Sequence, residues 1–82
     1  MYVVELDPVA RDQADALPAE AINPFLELRA LLELHPLSGL PLHPDNPKAN
    51  MLTHDFGESG MATYFVVEHL RRVYIVRLDW LG

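Results

Sequence analysis

Arg77 and Asp79 stand two residues apart in the stretch RVYIVRLDW, and on an extended strand that spacing puts both side chains on one face. A guanidinium oriented by a neighbouring carboxylate can meet a phosphate. The plainer alternative is an ion pair on a solvated face, worth well under about 1 kcal/mol. His54 is a second candidate, because an imidazole titrates near neutral pH and can serve as general acid or base. Its neighbour Asp55 points to the opposite face of a strand, so the two form no dyad with each other, though either can face a residue on an adjacent strand. An ordinary strand histidine is the bland alternative. Asp55-Phe56-Gly57 also spells the metal-binding signature of protein kinases. That aspartate works only with a glycine-rich loop, a strand lysine and a catalytic loop, none of which the sequence contains. HDFG therefore reads as the end of a strand entering a glycine turn. Arg71 and Arg72 fall in a turn, either as a contact for an acidic partner or as a solvated edge that blocks aggregation. The four histidines show no close metal-ligand pairing, there is no cysteine, and no nucleotide fingerprint is present, so the sequence implies no metal and no cofactor.

The elements that must hold these residues are legible in order. MYVVEL alternates as a short strand, with Tyr2, Val4 and Leu6 on one side and Val3 and Glu5 on the other. Asp7-Pro8 supplies an N-cap and a first helical residue that needs no donor, predicting a helix to about Leu17. A second helix follows over AEAINPFLELRALLELH, with Ala21, Phe25, Leu28 and Leu32 on one stripe as the core face. Pro24 either bends it or makes Asn23 a late N-cap. On its other side Leu26, Ala30 and Leu34 form a second apolar row, either a docking surface or a scatter of exposed side chains. HPLSGLPLHPDNPKAN predicts a long irregular connection. The remainder predicts three strands, MLTHDF, MATYFVVE and RVYIVRLDW, joined by hairpins at GESG and HLRR. In the last strand Tyr74, Val76, Leu78 and Trp80 form the expected core row, and Val73, Ile75, Arg77 and Asp79 the outer one. The expected fold is α+β, in the order β-α-α-β-β-β: a small, mainly antiparallel four-stranded sheet with two helices on one face.

Eighty-two residues predict one domain spanning 1–82 with one modest core. The formal charge of −6 opposes, on average, an encounter with nucleic acid or an anionic membrane. Arg71, Arg72 and Arg77 cluster near the end of the chain, so a locally basic strand on an acidic body remains open. No apolar run approaches the roughly 20 residues of a membrane span. The start MYVVELDP lacks the basic and apolar regions of a secretory signal, so the expected location is the cytoplasm.

The layout resembles the RelE/ParE toxin superfamily of bacterial toxin–antitoxin modules. The resemblance is carried by the join VELDPVARDQADALP, by a second helix opening at LPAEA and closing at LLELHP, and by the terminal hairpins GMATYFVVEHLRRVYIVRLDW. A DNP loop, an FG..G turn, TY on the next strand and a terminal W-L-G are similar to short actinobacterial members. The resemblance implies a ribosome-dependent mRNA endoribonuclease that inhibits translation, with an antitoxin-like small protein and the ribosome and mRNA as partners. Carried onto this sequence, it implies Tyr64 as the strand tyrosine and Arg77 as the only interior cation of the last strand; together with His54 these are the candidate catalytic residues. The strand arginine usual in the superfamily falls instead on Met61 or Ala62. That departure keeps a second reading open: a non-catalytic interaction module of the same fold, docking through Leu26, Ala30 and Leu34. A homodimer through an open sheet edge is a third.

Overall fold

A computed structural model describes residues 1–46 and 50–82. The chain opens with β1 (Val3–Leu6), which passes directly into α1 (Pro8–Asp15). At the junction the Asp7 carboxylate accepts a hydrogen bond from the Ala10 amide at 2.8 Å, satisfying one orphan donor of the first turn. Pro18 then leads into α2 (Ala19–Leu34). This helix runs unbroken through Pro24, so Asn23 is an ordinary helical residue and not a cap. Pro24 packs beside Gly57, where a side chain would come within 3.2 Å of the proline ring.

The expected stripe of α2 is the one that is buried. Ala21, Phe25, Leu28 and Leu32 join Ala10 of α1 over a sheet face made by Val4, Phe56, Ala62, Tyr64, Val73, Ile75 and Leu78. Phe25 meets Phe56 edge-on at 5.8 Å between ring centroids, and the Trp80 ring lies 5.7 Å from that of Phe56.

The α+β expectation holds, with one strand more than expected. The sheet has the order β1-β5-β4-β3-β2, where β2 is Leu40–Pro41, β3 Met51–Phe56, β4 Gly60–Val67 and β5 Arg72–Trp80. Only β1 runs parallel to its neighbour β5; the other pairs are antiparallel. The added strand β2 came from the segment that reads as irregular. It is an edge strand of two residues, and an edge is where a proline without N–H is tolerated. Its pairing with β3 is extended by a Leu42 amide donating to the Met51 carbonyl at 2.9 Å. Of the DNP loop, Asp45 and Asn46 are described and Pro47 lies outside the described residues.

The second correction concerns which side chains of β5 face inward. Thr63 pairs with Arg77, but the next residue, Tyr64, pairs with Ile75, leaving Val76 without a partner. This is a β-bulge, and one extra residue reverses the inward-outward alternation. Val73 and Ile75 are therefore in the core, not outside, and Tyr74 and Val76 leave the core row. Beyond the bulge the alternation agrees with expectation. Leu78 is buried, Trp80 packs against the core, and Arg77 and Asp79 stand on the open face.

Candidate functional site

Helices cover one face of the sheet and leave the other open. On that open face the β4–β5 register sets Phe65 opposite Tyr74, Thr63 opposite Arg77, and Met61 opposite Asp79. Phe65 and Tyr74 stack with centroids 5.3 Å apart. β1 adds Glu5, opposite Tyr74, and Arg72 reaches it to form an ion pair. β3 contributes Thr53 and Asp55, opposite Thr63 and Met61.

Arg77 is the one candidate catalytic residue that stands on this face. Its Nε donates to the Asp79 carboxylate at 3.0–3.1 Å, and its side chain is 65% exposed. Exposure and salt screening leave such a pair worth a few tenths of a kcal/mol. The guanidinium can therefore exchange Asp79 for a phosphate oxygen at little cost.

Tyr64 lies elsewhere. It is fully buried on the helix side of the sheet, and its hydroxyl accepts a hydrogen bond from the Gly39 amide at 3.0 Å. Burial pushes the phenol above its ordinary value of 10.0, and the Gly39 hydrogen bond offsets part of that rise. Gly39 permits the contact because a Cβ there would sit 2.5 Å from both the Tyr64 hydroxyl and the Thr53 carbonyl oxygen. Here the tyrosine is a tie between β4 and the segment entering β2, covered from any ligand on the open face.

His54 pairs with Ala62 and alternates with Phe56 on the helix side of β3. It borders a small cleft of about 170 Å³ formed with Pro24, Glu27, Leu28 and Leu31 of α2. Its Nδ1 lies 2.8 Å from the Asp55 carbonyl oxygen. Tyr64 and His54 thus share the helix side, Arg77 faces away from both, and the three do not converge.

The candidate docking residues fall in two places. Leu26, Ala30 and Leu34 are all exposed on the outer side of α2. Arg71 and Arg72 sit at the β4–β5 turn, which contains a single 3-10 turn (Glu68–Leu70) and places Arg71 in the left-handed region at φ 52°. Arg72 is engaged with Glu5 across the β1–β5 pair.

The aromatic pair on the open face was missed in the sequence. The signal that finds it is the turn length: once Val67 pairs with Arg72, counting outward brings Phe65 to Tyr74. Among the described residues no cluster of His, Asp and Glu could hold a metal ion, and no helix is long and apolar enough to cross a membrane.

No protein-family model and no curated protein matches the sequence. Solved structures do match. A chain of the RelBE2 toxin–antitoxin complex from Mycobacterium tuberculosis aligns at TM-score 0.83 and 24% identity, over 98% of each chain. The isolated RelE toxin of E. coli aligns at 0.75 and 13% identity, over 100% of this chain and 86% of its own. A chain of the archaeal RelE–RelB complex from Pyrococcus horikoshii aligns at 0.65 and 18% identity, over 99% and 96%. These alignments span nearly the whole chain, and the chain has the RelE fold.

Proposed function

We propose that this protein is the toxin component of a bacterial toxin–antitoxin pair, acting in the cytoplasm as a ribosome-dependent inhibitor of translation that cuts mRNA on its open sheet face. The observation that carries this reading is the end-to-end likeness to RelE toxins, among them chains solved in complex with RelB-type partners. The chemistry of the open face agrees with it. Phe65 and Tyr74 offer a stacked aromatic surface for an unpaired base, and the exposed Arg77 can neutralise the extra negative charge of a phosphorane. Asp79 orients that guanidinium and is displaced as phosphate arrives. An antitoxin-like small protein keeps the toxin inactive.

A second reading is favoured by one specific observation: Tyr64 and His54 do not join Arg77 on one face. An interaction module that kept the fold and lost the chemistry would look the same. Induction of the protein alone in a bacterial host separates the two. The enzyme arrests growth and translation, and Arg77→Ala abolishes the arrest while circular dichroism and solubility stay unchanged. Undisturbed growth at high soluble expression supports the module instead.

A further inference from the structure

The outer face of α2 carries a longer apolar row than its sequence pattern suggested. Ile22 precedes Leu26, Ala30 and Leu34 at the same spacing of four, and Ile22, Leu26 and Leu34 are 46%, 51% and 65% exposed. Residues four apart form a continuous ridge, and rows of this kind interdigitate with the grooves of another helix. The core stripe of α2 is on the other side, so among the described residues the ridge takes no part in the core.

Charge decides what covers it. Glu20 and Glu27 are exposed and Glu33 is half-exposed along the same helix, and none of them forms an ion pair among the described residues. The single cation of α2, Arg29, turns its guanidinium to the Val4 carbonyl at 3.3 Å, at the edge of β1. A second copy of this chain would bring the same carboxylates against each other, on bodies that each carry −6. An anionic membrane meets the same repulsion.

We infer that the Ile22–Leu26–Ala30–Leu34 ridge docks a basic amphipathic helix of a partner protein, with leucine-like side chains entering beside Leu26 and Lys or Arg meeting Glu20, Glu27 and Glu33. This deepens the partner half of the proposed function and rests on it. It also fails separately, because the ridge and Arg77 lie on opposite sides of the molecule.

Two synthetic helical peptides of about 18 residues test it, long enough to hold a helix across the ridge. They share one apolar face, flanked in one by Lys and in the other by Glu. Each is titrated into the full-length labelled protein, followed by amide NMR shifts. The Lys-flanked peptide shifts residues 20–34, binds about tenfold tighter than the Glu-flanked one, and weakens as salt is raised. Leu26→Glu abolishes that binding with the remaining spectrum unchanged, and Glu20→Lys/Glu27→Lys inverts the peptide preference. Equal binding of the two peptides, shifts confined to the open sheet face, or self-association of the protein through residues 20–34 would overturn the inference. Growth arrest is followed on induction of the unmodified protein alone, with no peptide present, so the outcome for translation is read independently.

Discussion

Tyr64 and Arg77 take opposite roles according to the face of the sheet on which each stands: one is buried and structural, the other exposed. The Tyr64 hydroxyl holds Gly39, and through it the strand β2, against β3. Tyr64→Phe leaves the Gly39 amide without its acceptor and is expected to cost about 1 kcal/mol in urea unfolding at neutral pH. A pH effect accompanies it. The folded-state pKa is raised above the ordinary 10.0, so the folded chain keeps the phenol proton after the unfolded chain has released it. The contribution is complete below pH 10 and is lost as pH climbs through the range above it. Tyr64→Phe removes that alkaline part of the decline, which urea midpoints measured across the alkaline range will show. Arg77→Ala, by contrast, leaves the urea midpoint nearly unchanged, because its ion pair is exposed. Any loss of activity in that variant is then a loss of chemistry, not of folding.

At the scale of elements, the turns and the bulge decide what the sheet presents. Gly57 holds φ +62° at the β3–β4 turn, and a side chain there would also crowd Pro24. Gly57→Ala is expected to cost about 1–2 kcal/mol by thermal or urea unfolding. Gly39→Ala costs as much or more, about 1–3 kcal/mol, because its Cβ has no room between Tyr64 and Thr53. Both helices, the strand order after residue 50 and the buried stripe of α2 could be read from capping residues and periodicity, since these are local signals. Two features could not. The β2 strand is made by pairing with β3 and not by its own propensity, and a proline-rich pair such as Leu40-Pro41 advertises no strand. The bulge at Val76 is set by how β4 and β5 register over their length, so strict alternation put Val73 and Ile75 on the wrong side. The same long-range register hid the placement of the candidate site. Tyr64 belongs to the row of β4 that faces the helices, and nothing within TYFVV marks which row is which.

At the scale of the whole molecule, the two sides of the chain carry different chemistry. The open sheet face holds the half-buried aromatic pair and two arginines, each beside a carboxylate; the outer face of α2 holds an apolar ridge among glutamates. The proposed RNA-directed function would use the first side and the proposed protein partner the second. The net charge of −6 predicts that electrostatic steering contributes little to any RNA encounter. Association with ribosomes is therefore expected to show a shallow dependence on salt, measurable by sedimentation with purified ribosomes. The most direct test of the central claim is primer extension on a defined mRNA in a bacterial translation extract, with purified protein and with Arg77→Ala. New 3′ ends that appear only when ribosomes occupy the message, and that vanish with Arg77→Ala, are the predicted result. An intact message at saturating protein, or cleavage that the variant performs equally well, contradicts it.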